Sequence, residues 1–236
     1  MPRSSEVSIT AVFTALVCAA TMILSIYVPA TRGYFNIGEA MVYTTALLFG
    51  PFVGAFAGGV GSMLADILLG YAMYAPGTLV IKAAEGAIVG SIARRRPIGT
   101  RSAWRAYTLL LGLLAGALLA SVGALYYTGS VDLYLGIPPP EKPMTVVIPH
   151  ELWYGLGALV TCLIASMGLR FEPEFGWMVL AVLIGGLEMI LGYYVYELML
   201  VGAVAIVEIV VNIGQMVVGL VVSIPVVRTV KRIFPG

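Results

Sequence analysis

Apolar residues fall in eight blocks, roughly 8–28, 36–52, 54–71, 76–93, 106–126, 150–168, 177–199 and 204–227, parted by short polar breaks. A helix needs about 20 mostly apolar residues to cross hydrocarbon, where every backbone N–H and C=O must be bonded within the segment. The pattern therefore predicts an all-α fold: a polytopic transmembrane bundle of eight helices, forming one integral membrane domain over 1–236. The first, fifth, seventh and eighth blocks are long and clean. The second and third are short and meet at the tight turn Gly50-Pro51-Phe52, which points to tilted or irregular helices. The longest break, 127–149, holds Gly-Ile-Pro-Pro-Pro-Glu-Lys-Pro at 136–143 and is expected to be a stiff, non-helical loop.

Charge sets the orientation. Only 11% of the 236 residues are charged, and mean hydropathy is +1.00. With a cytoplasmic N-terminus, the inner segments hold Arg3, Arg94, Arg95, Arg96, Arg101, Arg105, Arg170, Arg228, Lys231 and Arg232, ten basic residues against Arg32 and Lys142 outside. The positive-inside rule then gives an even number of crossings and a multi-pass cell-membrane protein with both termini cytoplasmic. The first block could pass for a secretory signal, but about 21 apolar residues followed by seven further blocks read as a retained span. Cys18 and Cys162 both fall in spans and are expected to be small buried apolar residues.

Charged side chains inside the spans each need a partner, water or a function, because an isolated charge in hydrocarbon costs several kcal/mol. Lys82 and Glu85 lie three apart on one predicted helix, either as a structural ion pair or with one of them on a ligand. Asp66 ends a run of small residues near the outer interface, where it is a candidate ligand contact. In the seventh span Glu188, Gly192 and Tyr196 are spaced by four, with Tyr193, Tyr194 and Glu197 on the neighbouring face. In the eighth, Glu208, Asn212 and Gln215 share one face, as interhelical polar glue or as the wall of a polar pocket. The stretch Tyr34-Phe35-Asn36-Ile37-Gly38-Glu39 offers aromatic surface, an amide and a carboxylate at the start of the second span, and Asn36 can also cap that helix. On these grounds Asp66 and one of Lys82 and Glu85 are candidate ligand contacts, and Glu85, Glu188, Glu208 and Gln215 are candidate members of a polar network.

Small residues recur at intervals of four: Ala11, Ala15 and Ala19 on the first span, Gly54, Gly58 and Ser62 beside Ala57, Gly61 and Ala65 on the third, and Gly86 and Gly90 on the fourth. Such stripes let helices approach closely where van der Waals packing drives association. The stripe on the first span can equally receive a partner helix.

Taken together, Ala11-x-x-x-Ala15, Phe35-Asn36-Ile37-Gly38-Glu39, Gly54 through Asp66-Ile67-Leu68-Leu69-Gly70, Lys82-x-x-Glu85-Gly86-x-x-x-Gly90, Gly192-Tyr193-Tyr194-x-Tyr196-Glu197 and Glu208-x-x-x-Asn212-x-x-Gln215-x-x-x-Gly219 with Pro225 resemble the substrate-binding membrane subunit, or S-component, of energy-coupling-factor (ECF) type ABC transporters, in the style of the riboflavin group. The resemblance covers about 8–97 and 177–232. It implies a six-helix core that captures a vitamin or related small molecule outside and associates with a transmembrane coupling protein carrying two ATPases. It further implies that Ala11 and Ala15, extended here by Ala19, meet the coupling protein, and that the pocket lies toward the outside, which here points to Asn36, Glu39, Lys82, Tyr194, Glu197 and Asn212, with Asp66 beside them, as substrate-binding residues. Segments 104–170 depart from the pattern and read as a two-helix insertion with a proline-rich outside loop.

The sequence contains no zinc spacing, phosphate loop or nucleotide fingerprint, so no metal, no intrinsic cofactor and no nucleic-acid partner are expected, and any ATP hydrolysis belongs to partner subunits. His150, the only histidine, precedes Glu151 and is expected at an interface or helix start; no nucleophile–base set assembles around it, which argues against an enzyme. The leading expectation is a binding and delivery subunit with vitamin-like cargo. The alternative is a self-sufficient secondary transporter of a small organic solute, for which the halves share no recognisable pattern of interrupted spans.

Overall fold

The computed structural model describes residues 3–95, 100–135, 141–142, 144–170 and 173–234. Its elements run α1 (Arg3–Ile23), β1 (Ile26–Val28), β2 (Gly33–Phe35), α2 (Glu39–Phe49), α3 (Pro51–Leu69), α4 (Ala75–Ala93), α5 (Arg101–Tyr126), β3 (Gly129–Leu135), β4 (Met144–Ile148), α6 (His150–Arg170), α7 (Pro173–Val201), a 3-10 turn (Gly202–Val207) and α8 (Glu208–Ile233). Helices dominate, as the apolar pattern requires. The count of eight separate spans does not carry over. The last two helices and the turn between them are one continuous helical stretch, which leaves seven helical stretches among the described residues. Helix α2, with 11 residues, is only about 16 Å long at 1.5 Å per residue, and it reaches the Arg94 end of the bundle because it starts at Glu39, already buried in the interior. Among the described residues four stretches, Ser4–Ile23, Pro51–Leu69, Arg101–Tyr126 and Gly176–Ile233, are long and apolar enough to cross a membrane.

The breaks between helices follow from local chemistry. Gly50 sits at φ 86° between α2 and α3, a conformation that a side chain disfavours, and Pro51 then opens α3 where its missing N–H costs nothing. Thr100 caps α5 by accepting from the Ala103 N–H at 3.3 Å. Between α7 and α8, Gly202 at φ 72° opens the 3-10 turn, and the two helices pack against one another.

The small-residue stripes on α3 and α4 do what their spacing predicts. A Cβ added at Gly86 would lie 2.3 Å from the Gly54 carbonyl oxygen, and one at Gly58 would lie 2.9 Å from the Lys82 carbonyl oxygen. The two backbones therefore touch, which carries Asp66 and Lys82 toward the same end of the bundle. Helix α1 packs on α3 through Thr10, Thr14, Val17 and Thr21, all buried. Its threonine hydroxyls at 10, 14 and 21 donate to carbonyls four residues back at 2.7–2.9 Å, so no polar group is stranded on that face. The other face, with Ala11, Ala15 and Ala19, is exposed.

One end of the bundle carries a feature that helical periodicity does not foreshadow, a four-stranded antiparallel sheet in the order β2-β1-β3-β4. β1 pairs with β2 through Ile26↔Phe35, Tyr27↔Tyr34 and Val28↔Gly33, and with β3 through Ile26↔Leu135 and Tyr27↔Tyr134. The 127–149 break, expected as an irregular loop, is therefore largely a hairpin, Gly129↔Ile148 through Leu133↔Met144; its residues 136–140 and Pro143 lie outside the described residues, as does Arg96 of the arginine run. The α5–α6 pair packs on itself and leans on α7 and α8, with the Trp153 indole N–H donating to the Tyr127 carbonyl at 2.9 Å. Cys162 on α6 is exposed and Cys18 partly so, in place of the buried positions expected. Both lie on helix faces that the rest of the chain leaves uncovered.

Candidate functional site

Beneath the sheet, α3, α4, α7, α8 and the 33–39 segment enclose a polar cleft. Asn36, Glu39, Asp66, Lys82, Glu197 and Asn212 all line it, together with Thr21, Gly33, Tyr34, Gly38, Ser62, Tyr74, Thr78, Tyr193, Glu208 and Gln215. Its free space is about 30 Å³, room for a water or two. Side chains must therefore part to admit anything larger.

The cleft is built in layers. At its base Lys82 donates to Glu85 Oε2 at 3.1 Å and to Glu39 Oε1, and the Tyr43 hydroxyl donates to Glu85 Oε1 at 2.8 Å. Lys82, Glu39 and Glu85 are 4%, 1% and 0% exposed. A lysine this deep is tolerable only because two carboxylates hold it. Lys82 and Glu85 form an ion pair, and Lys82 also lines the cleft. Glu188 lies behind this triad, half-buried, and one of its oxygens has no partner.

Toward the sheet, the Tyr34 hydroxyl donates to Asp66 Oδ1 at 2.6 Å. Burial, and then the adjacent Asp66 carboxylate, push this phenol well above its ordinary range, so it stays a donor. The Tyr34 ring stacks on Tyr71 with centroids 4.4 Å apart. Thr31 donates to Glu208 Oε1 at 3.1 Å, while its own carbonyl accepts from the Tyr74 hydroxyl at 2.8 Å. Gly33 lies close against this carboxyl: a Cβ there would meet Glu208 Oε1 at 2.4 Å, so a side chain would displace the Glu208 carboxyl. On the far wall Gln215 donates to Asn212 Oδ1 at 2.9 Å, and the Tyr193 hydroxyl donates to Thr78 at 3.0 Å.

Two expectations change here. Tyr194 is not on the cleft; Tyr193 is. Tyr193 and Tyr194 lie four and three residues before Glu197, so both could share its face by spacing, and the rotation of α7 in the bundle turns Tyr193 inward. Glu208 and Gln215, read as members of a network, line the cleft themselves. Asn36 serves locally as well, its side chain accepting from the Gly38 N–H at 2.9 Å just ahead of α2. Thr21, Tyr74 and Thr78 escaped the sequence reading, because one hydroxyl in an apolar block gives no periodic signal. Ala11, Ala15 and Ala19 are remote from the cleft. They form a shallow groove with Cys18, Met22, Phe56 and Leu64.

A second, larger cavity of about 660 Å³ lies between β1, α5, α6 and α8. Its walls are almost wholly hydrocarbon, and it has no convergent set of polar groups to orient a polar solute, which the cleft does have. Among the described residues no three His, Cys, Asp or Glu side chains are placed to hold a metal ion.

A helical bundle with apolar spans and a buried cleft lined by polar groups has the build of a solute-binding membrane component. The family model for the ECF-type riboflavin transporter, S component, matches residues 3–137. The chain belongs to this family and is a membrane-embedded substrate-binding subunit of a transporter. The match runs on through α5 into β3, beyond the point at which the motif-level resemblance stops. A protein of Pyrococcus woesei described as "Uncharacterized protein in gap 3'region" is 46% identical over 107 residues, 45% of this chain and 67% of that protein.

Proposed function

We propose that the chain captures a vitamin-like small molecule in the cleft under the sheet and releases it inward only in partnership with a transmembrane coupling protein and two ATPases. The observation that carries this is the cleft itself: polar groups from six segments, Thr21 of α1 among them, converge at one end of the bundle. A cleft at one end binds; transfer across the membrane then needs a second machine.

The orientation follows from charge. The sheet end faces outward and both termini inward, in accord with the basic residues at Arg94, Arg95, Arg101, Arg105, Arg228, Lys231 and Arg232. The exposed Ala11, Ala15 and Ala19 face of α1 is the surface for the coupling protein, since its small side chains admit a helix at close range. Liposomes holding the chain with and without a coupling protein and ATPases test this, by uptake of the molecule that co-purifies with the chain. Uptake should require the complete assembly and ATP. Sustained uptake by the chain alone, driven by a proton or sodium gradient, would overturn the proposal.

A further inference from the structure

The α5–α6 pair does not close on the rest of the bundle. Among the described residues α6 packs on α5 and lightly on α7, and it stands off α8. The cavity of about 660 Å³ lies in the gap, more than four times the ~150 Å³ of an apolar cavity that takes benzene. Protein interiors hold few voids larger than a water molecule, so a space of this size is shaped for an occupant. Water is a poor one, because hydrocarbon walls offer it no hydrogen bonds. Nor is the gap free to collapse at its top: β1 pairs with β3, and the Tyr127 hydroxyl, at the end of α5, donates to the Val207 carbonyl just before α8 at 3.3 Å.

Depth and polarity identify the occupant. The lining runs from Val207 to Val218 on α8 and from Trp153 to Leu163 on α6, about 15–16 Å in each case at 1.5 Å per residue. Half of a hydrocarbon core about 30 Å thick has the same depth, so the cavity is a slot one leaflet deep. Its polar side chains are sorted to one end. Tyr27, Tyr126, Tyr127, Ser130, Asp132 and Trp153 all lie at the sheet, and below them the walls are leucine, valine and glycine. Tyrosine and tryptophan gather at membrane–water interfaces, which sets the sheet end at headgroup level. The flank is open as well, since Leu159, midway along α6, lines the cavity and is still 52% exposed.

We infer that this slot holds the hydrocarbon chain of a membrane lipid, drawn from the leaflet on the sheet side, with its headgroup among Ser130, Asp132 and the tyrosines. The chain takes the place of the α6–α8 packing that the protein lacks. Slot and bilayer are equally apolar, so the gain is not hydrophobic; it is the van der Waals contact that an empty slot would forfeit. The slot shares no lining residue with the polar cleft, and the inference stands whatever the cleft binds.

The test is carbene labelling in vesicles. The full chain is reconstituted in dioleoylphosphatidylcholine containing some phosphatidylcholine with a diazirine midway along one chain, then illuminated and mapped by peptide mass spectrometry. Leu109 and Leu113, exposed on α5, report ordinary lipid contact. Label should also reach Val160 and Val211, which are buried on the walls of the slot and closed to lipid at the protein's outer surface. Filling the slot with L156W/V218W should abolish the label at Val160 and Val211 and leave the α5 label unchanged. The wild-type map needs no variant to fold. Label on Leu109 and Leu113 with none on Val160 or Val211, or slot labelling that survives filling in a folded variant, would overturn the inference.

Discussion

Replacing Lys82 by Met tests how the base of the cleft is held together. Met keeps the length and volume of the side chain and removes its charge, so packing against Tyr193, whose ring centroid lies 5.4 Å from Nζ, is largely retained. What is lost is the cation between Glu39 and Glu85, which are 1% and 0% exposed. Breaking a buried ion pair by removing one partner costs about 3–5 kcal/mol, because the stranded charge has no solvent to return to. In a chain of this size that corresponds to a melting temperature about 6–20 °C lower. The Tyr43 hydroxyl still donates to Glu85, so Glu39 bears most of the loss. A triple variant, K82M/E39Q/E85Q, removes the charges together and should recover most of the stability. Melting in detergent, followed by tryptophan fluorescence, separates the cases. A K82M variant that melts within a degree or two of wild type would refute the idea that Lys82 is a compensated buried charge. So would a triple variant no more stable than K82M.

Three further outcomes follow from the packing and orientation. Gly86→Leu should unfold the protein or cost at least about 1–3 kcal/mol, since even its Cβ would lie 2.3 Å from the Gly54 carbonyl oxygen; a melting curve like wild type would show that α3 and α4 can separate freely. Replacing Ala11 and Ala15 together by Leu should abolish recovery of a complex with the coupling protein while leaving affinity for the co-purifying molecule within about twofold, because that face is exposed and does not line the cleft; pull-down at equal expression and calorimetry measure the two arms. In a variant lacking Cys18 and Cys162, a cysteine at Thr145 should label from outside intact cells and one at Thr100 only after permeabilisation; labelling of both from one side would defeat the orientation.

Helix positions were legible because burial in a bilayer imposes long apolar blocks. The Gly50-Pro51 turn, the touching Gly54 and Gly86 backbones and the inward Glu39, Lys82 and Glu197 all announced themselves as breaks, small-residue stripes or charges in hydrocarbon. The sheet did not. Its first two strands are three residues each, too short for period-two alternation to stand out, and β1 meets its partner β3 across more than 100 residues of chain. The same limit explains Tyr193 and Tyr194. Composition locates an aromatic pair on a helix, but only the rotation of α7 against α4 and α8 decides which ring turns inward. Glu208 and Gln215 were visible as polar residues on one face; that the face looks into the cleft depends on how α8 packs after Gly202.

The sheet ties two parts of the chain that helix packing alone would leave loosely related. β1 is a middle strand, bonded on one side to β2, which brings Tyr34 and Gly33 to the cleft, and on the other to β3 of the hairpin that joins α5 to α6. Any displacement of β2 that widens the cleft must therefore drag β3 and the top of the α5–α6 pair with it, or break the β1–β3 bonds at Ile26 and Tyr27. In mechanical terms the α5–α6 pair is ballast on the moving wall. The wall of the cleft that carries Gly33 and Tyr34 is thus coupled through one strand to a helix pair that lines none of it.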